Sequence, residues 1–245
     1  MNPLYQLWLG MRSTLFWVGF ILSTLFYGIT SIFLFLIPGH LRRFRFLVFW
    51  CHFNIWWLKV ICGVKYQVKG MENIPANTTA IVMGNHQSTW ETMALPMIFP
   101  PSTWVLKKEL LSIPFFGWGV SFVRPVAIDR SAGKTALEQV KLQGKERLDE
   151  GIWIIIFPEG TRVKPGETKP YKMGGAIMAT YSGYPVIPVV HNAGDYWPRH
   201  AYIKKPGTIS VKVGKPISAK GKTPDVLLKE VQQWIETEKK NLNSA

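Results

Sequence analysis

The sequence predicts an α/β fold, a mixed and largely parallel sheet with packed helices, preceded by N-terminal membrane helices. Three observations predict it. An uncharged apolar run of 25 residues, Ser13 to Ile37, lies near the start of the chain. From Val64 onward the sequence breaks into seven short apolar runs bounded by turn residues. Between those runs, apolar side chains recur at helical spacing. Buried strands alternating with helices are the pattern of a parallel sheet covered on its faces.

The first run, as a helix rising about 1.5 Å per residue, exceeds the roughly 30 Å hydrocarbon core of a bilayer. A cleaved signal peptide has a shorter apolar region of about 7–15 residues and a small-residue cleavage site; here Pro38-Gly39 closes the run instead. The Arg42, Arg43 and Arg45 cluster that follows assigns that end to the cytoplasmic side of the inner membrane. Phe44 to Val64 mixes Trp50, Trp56 and Trp57 with His52, Asn54 and Lys59. That mixture suits an interfacial or re-entrant helix, with a core helix of the following domain as the alternative. The expected division is residues 1–63 for membrane-anchoring helices and 64–245 for the α/β domain.

Within that domain the expected strands are Val64–Val68, Ala80–Met83, Thr103–Leu106, Val126–Ile128, Ile152–Phe157, Val186–Val190 and Ile209–Val213. Ala136, Leu137, Val140 and Leu148 share one helical face. Leu227, Val231, Trp234 and Ile235 share another, after the helix-start signal Thr223-Pro224-Asp225.

Charge narrows the partner. The formal net charge is +14, with only 18% of residues charged and 47% hydrophobic. Such an excess favours a polyanion: nucleic acid, an anionic membrane or a phosphorylated substrate. No acidic residue precedes Glu72, while Arg12, Arg42, Arg43, Arg45, Lys59, Lys65 and Lys69 flank hydrophobic segments. Nucleic-acid readers set their basic residues on polar surfaces, so the bilayer is the expected partner and nucleic acid is not. Cys51 and Cys62 lack metal-ligand spacing and read as reduced packing residues.

The strand Ala80–Met83 ends in Gly84-Asn85-His86-Gln87-Ser88-Thr89-Trp90-Glu91. A histidine at the carboxyl end of a strand sits where α/β folds collect ligands, and imidazole can take a proton from a hydroxyl near neutral pH. A carboxylate five positions on can reach its other nitrogen and fix the tautomer. Ser88 reads as a hydroxyl capping the following helix rather than a nucleophile. Phe157-Pro158-Glu159-Gly160-Thr161-Arg162 ends a second strand, with Gly160 allowing a tight turn and Arg162 offering a fork suited to phosphate. Ala127-Ile128-Asp129-Arg130 ends a third, with Lys107-Lys108-Glu109-Leu110 upstream, and Val186-Ile187-Pro188-Val189 is a buried strand with a proline.

Taken in order, His-x4-Glu, the block ending Asp-Arg, Phe-Pro-Glu-Gly-Thr-Arg and the Val-Ile-Pro strand resemble the glycerolipid acyltransferase family over roughly Val64 to Gly214. The 1-acylglycerol-3-phosphate acyltransferases are the most similar group. The resemblance implies a glycerol-3-phosphate acyltransferase-like fold, with His86 as base and Glu91 as its partner. It also implies that Lys107, Arg130, Glu159, Gly160, Thr161 and Arg162 bind the acceptor phosphate and that Pro188 lies near the acyl donor. The family's usual partner is Asp, from which Glu91 departs. The implied substrates are a lysophospholipid acceptor and an acyl thioester on acyl-carrier protein or coenzyme A, with no metal or redox cofactor. Two alternatives stay open: the same chemistry on another lysolipid such as a lyso-aminolipid, and a non-catalytic, membrane-anchored binder of anionic lipid.

Other motifs are decoys. Gly133-Lys134-Thr135 lacks the upstream glycine of a P-loop, which here is Ile128. There is no Gly-x-Ser-x-Gly elbow and no His-Glu-x-x-His. His40, His191 and His200 have no carboxylate at useful spacing and read as surface or packing residues.

Overall fold

The computed structural model describes residues 2–129 and 133–243. All seven apolar runs form strands: β1 (Val64–Lys69), β2 (Ile81–Gly84), β3 (Ser102–Lys107), β4 (Val126–Ile128), β5 (Trp153–Ile156), β6 (Val186–His191) and β7 (Gly207–Val213). They join in one sheet of order β1-β7-β6-β2-β5-β3-β4. Every pairing is parallel except β6 with β7.

Because successive side chains on a strand point to opposite faces, each central strand feeds two cores. Val82, Ile155, Ile187 and Val189 join one apolar cluster with Trp90, Leu95 and Phe99. Ile81, Met83, Ile154, Ile156 and Val186 join the other, under α5 (Lys134–Asp149), α6 (Gly174–Ser182) and α8 (Pro224–Asn243). α8 starts as its sequence indicated: the Leu227 amide bonds the Thr223 carbonyl at 3.1 Å, and Leu227, Leu228, Val231 and Ile235 are buried. Each such side chain contributes roughly 1.5–3 kcal/mol when fully buried.

The N-terminal run forms α1 (Pro3–Ser31), which continues as a 3-10 turn to Leu36; α2 (His40–Cys62) folds back beside it. Together Pro3–Leu36 are long and apolar enough to cross a membrane. α1 presents two different faces. Leu4, Leu7, Met11, Leu15, Val18, Leu22, Phe26, Ile29, Phe33 and Leu36 make a continuous exposed stripe, spaced by three or four residues as on one side of a helix. Ser13, Phe16, Ser23, Gly28 and Ser31 are buried on the opposite side. Small residues there let neighbours come close: a Cβ at Gly19 would stand 2.2 Å from the Trp57 indole nitrogen.

Phe16 of α1 and Cys51, Ile55, Leu58 and Cys62 of α2 belong to the same cluster as β1, β2 and α3 (Trp90–Ile98). The contact is also polar. Trp17 Nε1 donates to the Tyr202 carbonyl at 3.1 Å, the Lys204 amide donates to Ser13 Oγ at 2.9 Å, and Thr14 and Tyr202 share a hydroxyl hydrogen bond of 2.6 Å. The Lys204 ammonium is buried against Trp17, Trp197 and Phe16, 3.7, 4.9 and 5.3 Å from the ring centres, and donates to the Tyr202 carbonyl at 2.7 Å.

Candidate active site

Strand β2 delivers Asn85 and His86 into a loop that leads directly into α3. The loop is braced across the sheet: Asn85 Nδ2 donates to the His191 carbonyl at 2.9 Å and the His191 amide donates to Asn85 Oδ1 at 3.0 Å. At its far end Ser88 Oγ accepts the Trp90 amide at 3.1 Å, the cap expected of it. Glu91, in the first turn of α3 and fully buried, turns back under the loop. Its Oε1 accepts three hydrogen bonds, from His86 Nδ1 at 2.8 Å, the Gln87 amide at 2.8 Å and the Ser88 amide at 2.7 Å.

Burial pushes the Glu91 carboxyl up, but the His191 ring, the His86 hydrogen bond and the Ser88 amide outweigh it, so the net direction is down. An ionised Glu91 accepts only, so the proton lies on His86 Nδ1 and Nε2 keeps a free lone pair. The His86 ring is 15% exposed and stacks on Phe157 with centres 4.2 Å apart and planes within 9°. The accepting nitrogen of the base, Nε2, is thereby held in one orientation.

The Phe-Pro-Glu-Gly-Thr-Arg segment after β5 is the other half of the same structure. The buried Glu159 carboxylate accepts the His86 backbone amide at 2.6 Å, and the Val163 amide donates to the His86 carbonyl at 2.7 Å. Burial raises the Glu159 carboxyl to about 7. Glu159 is thus turned inward behind His86 rather than onto the cavity wall. There it satisfies a loop amide.

His86 lines a cavity of about 620 Å³. Its apolar walls come from α1 and α2 (Phe20, Phe46, Leu47, Trp50) and from Trp104 and Phe115. Lys107, Gly160, Arg162 and Lys172 line it as well, and no acidic residue does so among the described residues. Arg162 is half-buried with its Nε unpartnered, and burial lowers its pKa.

The predicted set therefore divides. His86, Lys107, Gly160 and Arg162 share the cavity wall, with Glu91 and Glu159 behind His86. Thr161 does not line it; its hydroxyl accepts from Arg199 at 3.4 Å. Pro188 is buried inside β6 opposite Met83 and is likewise absent from the wall. Arg130 lies outside the described residues. Three residues take part without having been assigned a role from the sequence. Phe157 stacks on the base. Lys172 lies on the cavity wall. His191 is fully buried, with Nε2 only 3.9 Å from Glu91 Oε2 and 2.8 Å from the Asn85 carbonyl. The useful carboxylate for His191 is remote in sequence, which is why spacing alone missed it.

Comparison with known proteins agrees with this architecture. The family described as Acyltransferase matches residues 65–192. A Pseudomonas aeruginosa protein named 1-acyl-sn-glycerol-3-phosphate acyltransferase is 42% identical over 230 residues, covering 92% of this chain and 89% of its own. A Saccharomyces cerevisiae protein of the same name is 30% identical over 207 residues, covering 82% of this chain and 66% of its own. The crystal structure of the 1-acyl-sn-glycerophosphate (LPA) acyltransferase PlsC from Thermotoga maritima superposes with a TM-score of 0.79 at 25% identity, over 100% of this chain and 99% of that one. With a family match over more than half its length and a relative 42% identical over 92% of this chain, the chain belongs to the acyltransferase family.

Proposed function

We propose that the protein transfers a fatty acyl group from an acyl thioester, on acyl-carrier protein or coenzyme A, to the free hydroxyl of 1-acylglycerol-3-phosphate, giving phosphatidic acid. The observation that carries this reading is the His86–Glu91 pair at 2.8 Å, set in a largely apolar cavity whose charged lining residues, among the described residues, are all cations. An apolar wall suits acyl chains. Cations without carboxylates suit a phosphate.

In the proposed reaction Lys107, Arg162 and Arg130 hold the acceptor phosphate, which brings its hydroxyl to His86 Nε2. As Nε2 takes the hydroxyl proton, the oxygen attacks the thioester carbonyl. Glu91 stabilises the imidazolium that forms. Collapse of the tetrahedral intermediate breaks the carbon–sulfur bond, and the leaving thiolate takes the proton from His86, restoring the base. Positioning the two substrates is worth roughly 7–11 kcal/mol of barrier at best. Residues 1–63 act as the membrane anchor of the 64–245 domain. The exposed stripe of α1 lies in lipid, and Arg42, Arg43 and Arg45 keep the catalytic side in the cytoplasm at the inner membrane.

The test is purified protein offered 1-acylglycerol-3-phosphate with each thioester donor in turn. Phosphatidic acid is the expected product, lost in His86→Ala. Equal use of a lyso-aminolipid would move the acceptor assignment, and transfer surviving in a folded His86→Ala protein would overturn the mechanism.

A further inference from the structure

Lys172 belongs to no motif that sequence reading singled out, yet it lies on the same cavity wall as His86, Lys107 and Arg162. The fold holds it there through the backbone. Its amide donates to the Pro158 carbonyl at 2.8 Å, while the Gly160 amide closes a turn onto the Phe157 carbonyl at 3.0 Å. Lys172 is therefore stitched to the turn that runs from Phe157, under the His86 ring, to Arg162.

Its side chain crosses that turn. Gly160 has φ +68°, and a Cβ there would stand 2.8 Å from Lys172 Cε and 3.0 Å from Nζ. The glycine thus does two things. It permits the left-handed turn, and it leaves the space through which the lysine stem passes. The ammonium at the end of that stem makes no ion pair among the described residues, and neither does Lys107. Unpaired cations on one wall repel each other unless an anion comes between them.

Resting on the acceptor reading above, we propose that Lys172 is a specificity-determining residue: a further cationic arm of the phosphate subsite that selects a phosphomonoester over a phosphodiester or an uncharged acceptor. The charge balance gives the reason. A phosphomonoester carries close to two negative charges near neutral pH, a phosphodiester one, and a monoacylglycerol none. Lys107, Arg162 and Arg130, which the proposed reaction already sets on the phosphate, more than balance the single charge of a phosphodiester. A further cation therefore gains most from the second charge of a monoester. Lysine suits this outer place as a flexible point charge, while Arg162 supplies the directional fork.

The experiment is steady-state kinetics of the parent, Lys172→Gln and Lys172→Arg with three acceptors that share one acyl chain: 1-acylglycerol-3-phosphate, its phosphoglycerol diester and the monoacylglycerol. Lys172 is exposed, so both variants should fold. The expected result for Lys172→Gln is a KM for the monoester about tenfold higher, with smaller changes for the other two acceptors and for the thioester donor. The monoester-to-diester ratio of kcat/KM falls accordingly, and Lys172→Arg recovers most of it. A parent that prefers the monoester, together with a Lys172→Gln variant whose ratio equals the parent's, overturns the Lys172 assignment alone. So does a Lys172→Arg variant as impaired as Lys172→Gln. A parent indifferent to the phosphate overturns the acceptor reading, and this inference with it.

Discussion

Glu159 accepts the backbone amide of His86 at 2.6 Å across 73 residues of sequence, so the two most recognisable motifs of this chain form one structural unit. The acid of Pro-Glu-Gly holds the loop that carries the base, while the Glu91 carboxylate holds the base's ring. Position and orientation of His86 are governed by separate acids.

Glu159 should make stability depend on pH in a definite direction. Burial raises its carboxyl from an ordinary 4.5 to about 7, so between those values the folded chain binds more protons than the unfolded one. Its contribution is fully present below pH 4.5 and is lost as pH rises through 7. Glu159→Gln keeps an acceptor for the His86 amide and should flatten this dependence in thermal melts. Glu159→Ala strands a buried amide, costing about 1–3 kcal/mol, and should lower turnover. Identical pH slopes for the parent and Glu159→Gln would contradict this account.

For the dyad, Glu91→Gln should lower kcat roughly 10²–10⁴-fold, because a neutral amide cannot stabilise the imidazolium. Glu91→Asp matches the residue usual in the family but is one methylene shorter. Oε1 now serves three donors at 2.7–2.8 Å. Losing one charge-assisted bond of about 1.5–3 kcal/mol predicts a fall of roughly tenfold or more. Single-turnover rates at saturating substrate would decide, and full activity in Glu91→Asp would mean that the loop relaxes around the shorter acid.

Arg162→Ala should raise KM for a phosphate-bearing acceptor far more than for the donor, with about 1.5–3 kcal/mol at stake. Its half-buried guanidinium has an unpartnered Nε. Arg162→Lys should recover part of the loss, since it keeps charge but not the fork. Equal penalties for phosphate-bearing and phosphate-free acceptors would remove Arg162 from the subsite.

The seat of α1 can be probed at Lys204. Trp17→Ala removes a cation–π contact and a hydrogen bond, together about 2 kcal/mol, and should lower the melting temperature in detergent by roughly 4–8 °C. Burial pulls the Lys204 ammonium down to about 7, below its unfolded value of about 10.4. The unfolded chain therefore binds more protons in between, and this residue's contribution to stability should rise with pH across that window. Lys204→Met should abolish that rise.

Membrane insertion predicts that alkaline carbonate leaves the protein in the pellet and that a reporter fused after Ala245 reads as cytoplasmic. Release by carbonate would replace insertion with surface binding, and a periplasmic signal would reverse the orientation.

What the sequence by itself determined is whatever depends on near neighbours. Strand periodicity revealed all seven strands, from Val64 to Val213, because an alternating or fully apolar run is a local property. His86 and Glu91 could be paired because five residues span one loop and one helical turn. Tertiary structure decided the rest, because those contacts follow from strand order. Only with β6, β2 and β5 side by side do His191, His86 and Glu159 meet at neighbouring strand ends. Glu159 then braces the loop that carries the base, a role that local spacing does not record. Lys172 reaches the wall only because the chain returns past Gly160, and the apolar end of the cavity needs α1 and α2 folded onto the sheet. Closing loops of such length places side chains that no local spacing records.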